Sequence, residues 1–254
     1  MGRCISVANQ KGGVGKTTTA INLSACLAQE GKKVLVIDSD PQGNTTSGFG
    51  IAKESLERTV YTMLLRQHRI DEVTLETNIP GLFILPSNVE LAGAEIELVG
   101  TDRREYILKS ALADVRYLYD FIIIDCPPSL NMLTINALTA SDTVLVPIQC
   151  EYFALEGLSQ LMYTIELVRK HLNPVLDVEG VVFTMYDART NLSMQVIEEV
   201  KTHLGKHIYR SVVPRNVRLS EAPSHGLAIT QYDAKSKGAE SYMQLAEEVI
   251  AKIL

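Results

Sequence analysis

The chain has 254 residues, a formal net charge of −6 at pH 7 and 46% hydrophobic residues. This length and composition suit one large α/β domain and leave little for a second. No stretch approaches the roughly 18 apolar residues of a membrane span, and the N-terminus lacks a charged-then-apolar leader. Cys4, Cys26, Cys126 and Cys150 are widely spaced without metal-ligand partners, so they suggest neither a zinc site nor a disulfide framework. We expect a cytoplasmic protein whose thiols are reduced and buried.

A glycine-rich segment lies between the first predicted strand, residues 5–8, and a helix-like stretch at 19–30. It reads Lys11, Gly12, Gly13, Val14, Gly15, Lys16, Thr17 and Thr18. Glycines let backbone N–H groups turn toward an anion, the Lys16 ammonium can reach the outer phosphates, and the Thr17 hydroxyl can ligate Mg²⁺. The segment therefore predicts a binding site for a nucleoside triphosphate.

This segment departs from the usual pattern G-x-x-x-x-G-K-[ST], because Gln10 stands where the first glycine would be and Lys11 follows it. The Lys11 side chain could fold back onto its own phosphates. It could instead project onto a nucleotide held by a facing copy of the chain, which would imply a dimer. A chance glycine-rich turn is the remaining alternative, and the strand before and helix after it disfavour that interpretation.

Short β-branched runs alternate with helix-period segments along the rest of the chain. Further strands are predicted at Val34–Asp38, Leu82–Leu85, Phe121–Asp125, Thr143–Ile148, Gly180–Thr184 and Tyr209–Val213, and helices at Thr18–Glu30, Arg103–Tyr117, Leu155–Leu172, Leu192–Leu204 and Ala239–Ile253. Several strand runs are continuously apolar, which is typical of strands buried on both faces. The alternation predicts an α/β fold with a mostly parallel twisted sheet and helices on both faces. Residues 43–80 predict no clear element.

Aspartates follow two of these strands, at the edge where a parallel sheet gathers its ligand groups. Asp38 and Asp40 come after the run 34–37, and Asp125 comes after the run 121–124. Asp125 fits the Mg²⁺ partner that P-loop NTPases keep at a strand end. Of Asp38 and Asp40, one could steady the water shell of Mg²⁺ while the other orients the attacking water, and we assign the second role to Asp40. The alternative is that these aspartates only cap or open turns.

Positive charge is concentrated in one part of this acidic chain. Residues 185–237 carry a net charge of +3. Within this window, Arg189 lies just ahead of a predicted helix and Arg218 lies in a polar turn. Ordinary surface ion pairs with Glu198, Glu199 or Glu221 are one interpretation of these arginines.

Four segments together resemble the ParA/MinD class of deviant Walker ATPases, and within it the chromosomal ParA group called Soj. They are residues 11–18, 38–44, 125–129 and 214–224. The resemblance runs from residue 2 to nearly 250. It implies a single P-loop NTPase domain over residues 1–254, with ATP and Mg²⁺ as its cofactors.

The resemblance also implies a molecular switch. Two ATP molecules would be sandwiched in a homodimer, with Lys11 of each subunit touching the nucleotide of the other. The ATP-bound dimer would bind double-stranded DNA without sequence preference. A ParB-type centromere-binding partner would stimulate hydrolysis, which returns the dimer to monomers. We therefore expect a nucleoid-associated ATPase that partitions chromosomes or plasmids.

The residue patterns above and the resemblance together give the site residues. The nucleotide phosphates would be held by Lys11, Gly12, Gly13, Val14, Gly15, Lys16, Thr17 and Thr18. Lys11, Lys16 and Asp40 would take part in hydrolysis. The metal would be supported by Thr17, Asp38 and Asp125.

Adenine and DNA contacts are implied further along the chain. The adenine base would be contacted by the loop after Thr184 and by the turn that holds Pro214 and Asn216. Arg189 and Arg218 match basic positions through which Soj proteins hold DNA. Contacts to phosphates alone give an affinity that falls steeply with salt and reads no sequence. In a dimer two such basic windows would act together.

Two rival functions remain. A MinD-like positioning ATPase would end in a basic amphipathic helix, whereas residues 242–254 hold two acids and one lysine. We therefore predict no membrane partner and a C-terminal helix packed on its own domain. A small-substrate P-loop enzyme would need a second pocket, for which the segment 91–106 offers Glu95, Glu97, Arg103 and Arg104.

Overall fold

Eight strands form one sheet in the part of the chain that the computed structural model describes, which is residues 2–151, 154–187, 189 and 191–252. They are β1 (Arg3–Val7), β2 (Val34–Asp38), β3 (Leu75–Glu76), β4 (Leu82–Leu85), β5 (Phe121–Asp125), β6 (Thr143–Gln149), β7 (Asp177–Tyr186) and β8 (Ile208–Pro214). Their order across the sheet is β3-β4-β2-β5-β1-β6-β7-β8. Every neighbouring pair is parallel except β3 with β4.

The α-helices within the described residues are α1 (Lys16–Gln29), α2 (Asn44–Gly48), α3 (Val60–Leu64), α4 (Ile70–Val73), α5 (Ala94–Glu97), α6 (Ile107–Ala113), α7 (Met132–Ala140), α8 (Ala154–His171), α9 (Asn191–Leu204), α10 (Val217–Glu221), α11 (Ile229–Tyr232) and α12 (Lys237–Ala251). Short 3₁₀ helices lie at Lys53–Ser55, Val89–Gly93, Leu98–Gly100, Arg104–Tyr106, Arg116–Leu118, Gly205–His207 and Ala222–His225.

The hydrophobic core lies on both faces of the sheet. Ile122 and Ile124 of β5 belong to a buried cluster with residues of α6, α7, α8 and α9. Phe121 and Ile123 of the same strand point the other way and belong to a cluster with residues of α1 and α12. Successive side chains of a strand alternate between faces, so a continuously apolar run buries both sides. The predicted α/β fold, with helices on both faces of a mostly parallel sheet, is confirmed.

One predicted helix is wrong. In place of a helix over Arg103–Tyr117 there is a 3₁₀ turn at Arg104–Tyr106, then α6, then a second 3₁₀ turn. Asn136 of α7 causes the break, because its amide donates to the carbonyl oxygen of Arg104 at 2.9 Å and its Oδ1 accepts from the backbone N–H of Leu108 at 3.2 Å. These side-chain hydrogen bonds replace the ones that a continuous helix would have made there.

The C-terminal helix α12 packs on its own domain, as predicted. Tyr242, Leu245 and Val249 are buried in the cluster that also contains α1. The helix covers Lys237–Ala251, and Ile253, the predicted last residue, lies outside the described residues. None of the helices described is long and apolar enough to cross a membrane.

Candidate nucleotide-binding site

The carboxyl ends of three adjacent strands meet below the glycine-rich loop. β5 lies between β1 and β2, and its last residue, Asp125, is in register with Val7 of β1 and with Asp38 of β2. The loop that follows β1 therefore begins beside both aspartates. This is the edge at which open parallel sheets bind their ligands.

The loop itself is held in a conformation that only glycine adopts easily. Gly13 and Gly15 have φ values of 76° and 88°, in the left-handed region. A Cβ atom placed on Gly12 or Gly13 would meet no atom of the described residues within 4 Å, so that part of the chain leaves the space in front of them open. The carbonyl oxygen of Val14 accepts a hydrogen bond from the Thr184 hydroxyl at 2.8 Å, which ties the loop to β7. Helix α1 starts directly after the loop, so its N-terminus faces the same open space.

Lys16 is the first residue of α1 and its side chain is buried. Its Nζ atom donates a hydrogen bond to the carbonyl oxygen of Lys11 at 3.0 Å. Burial lowers the pKa of Lys16, and the negative charges of Asp125 and Asp40 oppose that shift. The two carboxylates therefore lie close enough to Lys16 to act on its charge.

Asp125 is fully buried, and one of its oxygen atoms lacks a partner among the residues that the structure describes. Its Oδ2 accepts a hydrogen bond from the Thr45 hydroxyl at 2.7 Å, while Oδ1 has none within the described residues. Burial, followed by repulsion from Asp38, raises the pKa of Asp125, and the Thr45 and Thr17 hydroxyls oppose this rise. Mg²⁺ prefers hard oxygen ligands and keeps several waters. A buried carboxylate oxygen with no hydrogen-bond donor among the described residues fits such an ion.

Asp38 is engaged with helix α2. Its Oδ2 accepts hydrogen bonds from the backbone N–H and the hydroxyl of Thr46, at 2.8 and 2.7 Å, and its Oδ1 accepts from the Asp40 N–H at 3.3 Å. Burial raises the pKa of Asp38 and these three hydrogen bonds oppose the rise. The carboxylate thus fixes the start of α2 next to Asp125.

Asp40 opens a tight turn, which was the alternative interpretation of this residue. Its Oδ1 accepts from the backbone N–H of Gln42 at 2.9 Å, and its carbonyl oxygen accepts from the Ser87 hydroxyl at 2.9 Å. Its side chain is nearly buried. This turn follows β2 directly, at the carboxyl ends of the strands where Asp125 and the phosphate loop also lie.

A cavity of about 290 Å³ adjoins the C-terminal side of the loop. It is lined by Gly15, Thr18, Thr184, Met185, Val213, Pro214, Arg215, Asn216, Leu219, Ser220, Pro223 and Tyr242. The predicted base-contacting residues Pro214 and Asn216 are thus in one cavity with two residues of the phosphate loop. Met185 follows Thr184 directly and so belongs to the segment predicted to contact the base, but its positive φ of 48° is not readable from the sequence because the residue is not a glycine.

Arg189 and Arg218 follow neighbouring strands at the same sheet edge, and Arg218, predicted in a polar turn, is the second residue of α10. Tyr186 of β7 pairs with Pro214 of β8, so the segments after these strands leave side by side. The Arg189 side chain is 88% exposed and forms an ion pair with Asp187 at 2.6 Å. Its neighbours Ala188 and Thr190 lie outside the described residues.

The Arg218 side chain is 54% exposed and lies 2.9 Å from Glu221 and 3.5 Å from Asp233. Both arginines therefore take part in surface ion pairs, of which only the one with Glu221 is among the predicted partners. Exposed pairs of this kind are weak and exchange readily.

Lys11 is bound to its own chain. Its backbone N–H donates to Asn9 Oδ1 at 3.0 Å, and its Nζ forms an ion pair with Glu151 at 2.7 Å. Glu151 was missed by sequence analysis. The only sequence signal is its position shortly after a strand that ends at the same edge of the sheet.

All four cysteines are free and buried, as predicted. Burial raises the pKa of each thiol, which for Cys150 reaches about 11. No cluster of three or more potential metal ligands of the His, Cys, Asp and Glu type occurs among the residues described. The Mg²⁺ fit therefore depends on Asp125 and Thr17 together with the phosphates of the nucleotide.

Comparison with known proteins identifies the family. A family described as "AAA domain" matches residues 2–178. The chain is 59% identical over 251 residues to the sporulation initiation inhibitor protein Soj of Bacillus subtilis, covering 99% of each chain. It is 51% identical over 252 residues to the chromosome-partitioning ATPase Soj of Treponema pallidum, covering 99% of this chain and 98% of that protein.

A solved structure also superposes on the whole chain. It is described as a cobyrinic acid a,c-diamide synthase of Mycobacterium smegmatis with a bound ATP analogue and magnesium, with a TM-score of 0.87, 38% identity and coverage of 100% and 96% of the two chains. The predictions of an ATPase, and of ATP and Mg²⁺ as its cofactors, are confirmed by these matches. The chain belongs to the Soj/ParA family of chromosome-partitioning ATPases, within the ParA/MinD class.

Proposed function

We propose that this chain, as one ATPase domain over residues 1–254, is a DNA-bound partitioning switch. ATP drives a homodimer that binds double-stranded DNA without sequence preference, and slow hydrolysis releases it. A ParB-type partner stimulates that hydrolysis, and the protein resides on the nucleoid. The observation that carries the proposal is the pair of lysines in one loop. Lys16 is buried against the loop, whereas Lys11 is partly exposed and able to reach another molecule.

ATP binds with its phosphates in the open space before Gly12 and Gly13. Backbone N–H groups of the loop and the N-terminus of α1 hold the phosphate charge. The Lys16 ammonium exchanges its hydrogen bond to the Lys11 carbonyl for one to a phosphate oxygen, which is a stronger, charge-assisted bond. Mg²⁺, when bound, neutralises charge that develops on the phosphates, and Thr17 and Asp125 would hold it.

Asp38 supports the metal site indirectly, through the residues at the start of α2. Its hydrogen bonds to Thr46 fix the start of α2, and the neighbouring Thr45 hydroxyl binds Asp125. Asp40 orients the attacking water, since its carboxylate is held by the Gln42 N–H at the same edge of the sheet. Most of the rate acceleration then comes from positioning and charge stabilisation by Lys16 and by the partner subunit's Lys11.

The adenine base occupies the 290 Å³ cavity beside the loop. Thr18 lies at the phosphate end of this cavity, and Pro214 and Asn216 lie at its wall. The Asn216 Oδ1 already accepts a hydrogen bond from the Arg218 backbone N–H at 2.8 Å. The Nδ2 amino group of the same side chain would then donate to the base. Asn216 caps α10 and Arg218 is the second residue of that helix, so the base contact and the DNA contact lie two residues apart.

DNA binding follows from dimer formation. Arg189 and Arg218 lie at the sheet edge that carries the nucleotide, and each subunit supplies one copy of both. A dimer doubles the number of phosphate contacts, and each contact adds to the salt dependence of binding. A monomer offers only one basic window, residues 185–237 with a net charge of +3, in a chain of net charge −6. DNA binding therefore requires the dimer that ATP induces.

A small-substrate enzyme is the rival function, and the solved structure described as a synthase keeps it open. Its predicted second-site residues are occupied within the chain. Glu97 accepts a hydrogen bond from the Tyr61 hydroxyl at 2.7 Å, and Glu95 accepts one from Asn131. Arg104 pairs with Glu105 at 3.3 Å. We therefore favour the partitioning switch.

The decisive experiment measures binding to unrelated DNA duplexes with ATP, ADP or no nucleotide at two salt concentrations. Wild type is compared with Arg189→Glu and Arg218→Glu, and Arg69→Glu is the matched control because Arg69 is an exposed arginine paired with Asp71 elsewhere. ATP-dependent, salt-sensitive binding that only the first two variants lose supports the switch. Absence of binding with every nucleotide contradicts it, and stimulation of turnover by a small metabolite in place of DNA favours the enzyme.

A further inference from the structure

Lys11 is held by a part of the chain that the motif does not include. Its Nζ atom lies 2.7 Å from Oε2 of Glu151, two residues after the end of β6. The two side chains are 31% and 46% exposed. The pair therefore lies at the surface, where solvent and a second molecule can compete for either partner.

The backbone around this pair is fixed on both sides. β1 and β6 are neighbours in the sheet, and the Ala8 N–H donates to the Leu145 carbonyl oxygen at 3.1 Å where β1 ends. Asn9 then joins the two strand ends, since its Nδ2 donates to the Pro147 carbonyl oxygen at 2.8 Å and its Oδ1 accepts from the Lys11 N–H. The base of the Lys11 side chain is thus anchored to the end of β6.

The Glu151 carboxylate is positioned as well. Its Oε1 accepts a hydrogen bond from Gln149 Nε2 at 2.5 Å, and the Glu151 backbone N–H donates to the Gln149 carbonyl oxygen at 2.8 Å. One carboxylate oxygen is therefore bound to the strand end and the other faces Lys11. Two anchored groups form an ion pair at less entropic cost than two free side chains.

We propose that Glu151 is a positioning residue that retains Lys11 on its own subunit until ATP and a second subunit take its place. This inference rests on the proposed function, in which Lys11 contacts the nucleotide of the partner subunit. The Glu151 carboxylate and the triphosphate of the facing subunit are both anions, so they repel each other when they approach the same Lys11 ammonium. Dimer formation therefore breaks the Lys11–Glu151 pair in each of the two subunits, and the pair raises the concentration at which the dimer forms.

The size of the effect follows from the exposure of the pair. Exposed ion pairs shift an equilibrium by roughly 1.5- to 5-fold. Because two pairs are broken per dimer, replacing Glu151 should tighten the dimer by about 2- to 25-fold. An ion pair of this strength raises the protein concentration needed for dimerisation but does not prevent the dimer from forming.

The test measures the monomer–dimer dissociation constant by sedimentation equilibrium with Mg²⁺ and a non-hydrolysable ATP analogue. Glu151→Gln, which keeps the side-chain volume and removes the charge, should give a tighter dimer with the analogue and leave the protein monomeric with ADP. Asp177→Asn is the matched control, because it removes one negative charge from an exposed ion pair with Arg169 at the opposite edge of the sheet. Its dimer should match that of wild type.

An unchanged or weaker dimer in Glu151→Gln overturns the proposal. Equal tightening in Asp177→Asn also overturns it, because the change in net charge alone would then explain the result. Lys11→Ala separates this inference from the function on which it rests. If Lys11→Ala dimerises as wild type does, the contact of Lys11 with the partner subunit's nucleotide is wrong. If Lys11→Ala fails to dimerise while Glu151→Gln behaves as wild type, only the role of Glu151 is wrong. Thermal melting of all three variants checks that they are folded.

Discussion

The Nζ atom of Lys16 lies 3.0 Å from the carbonyl oxygen of Lys11, so the phosphate-loop lysine bonds to the backbone of its own loop. This contact closes the loop on itself at the position where phosphate oxygens would be bound. Burial lowers the pKa of Lys16 while the charge of Asp125 opposes the shift. ATP therefore offers this lysine a better acceptor than the one it has.

Replacing Lys16 with Ala should reduce ATP turnover by about 100-fold or more, because it removes a preorganised positive charge from the phosphates. ATP turnover and nucleotide affinity by calorimetry are the measurements. Lys33→Ala is the control, since Lys33 lies over the rings of Phe83 and Tyr119, away from the loop. Turnover of Lys16→Ala at the level of Lys33→Ala would contradict the assignment.

Replacing Asp40 with Ala should slow hydrolysis by about 10²- to 10⁴-fold, the range expected when a group that orients or deprotonates the nucleophile is lost. ATP binding should persist, so the variant should accumulate as a dimer bound to DNA. Single-turnover hydrolysis and DNA retention after ATP addition measure the two effects. Asp71→Ala, at an exposed aspartate paired with Arg69, should behave as wild type. If Asp40→Ala hydrolyses ATP normally, another group orients the water.

Replacing Arg218 with Ala should lower the slope of log affinity against log salt by about 1.8, since a dimer loses two phosphate contacts and each is worth about 0.9. The loss should be the same for unrelated DNA sequences, because phosphate contacts read none. Fluorescence anisotropy over a salt series measures it. An unchanged slope would mean that Arg218 serves only its ion pairs with Glu221 and Asp233.

Replacing Glu179 with Gln should lower the free energy of unfolding by about 3 kcal/mol, because it leaves charged partners beside a buried site. Glu179 is fully buried, pairs with Arg3, lies 3.7 Å from Lys252 and accepts a hydrogen bond from the Tyr209 hydroxyl at 2.6 Å. Urea denaturation gives the value, and ATP turnover of the folded variant should be retained. Glu198→Gln breaks an exposed pair with Lys201 and should cost no more than about 1 kcal/mol. Equal losses of unfolding free energy in the two variants would contradict the claim that burial makes the contacts of Glu179 more important for stability.

Several strands were predictable to the residue because their apolar runs are unambiguous. Val34–Asp38, Leu82–Leu85 and Phe121–Asp125 have the predicted bounds. Helix α7 was not predicted, although it carries the Asn136 that interrupts the neighbouring helix. Most of α7 is buried, so it lacks the polar face from which a helix is recognised in a sequence. Strand β3 has only two residues, too few for any period.

The sequence by itself determined the phosphate loop, the strand-end aspartates and the family, because these are local patterns whose chemistry depends on residue type and spacing. Only the tertiary structure decided the partners of these groups. Asp38 binds Thr46, Asp125 keeps one oxygen that has no partner among the described residues, and Lys11 is paired with Glu151. Lys11 and Glu151 are 140 residues apart in the chain and meet because β1 and β6 are neighbours in the sheet. The order of strands in a parallel sheet depends on helix packing between them, which no local pattern encodes.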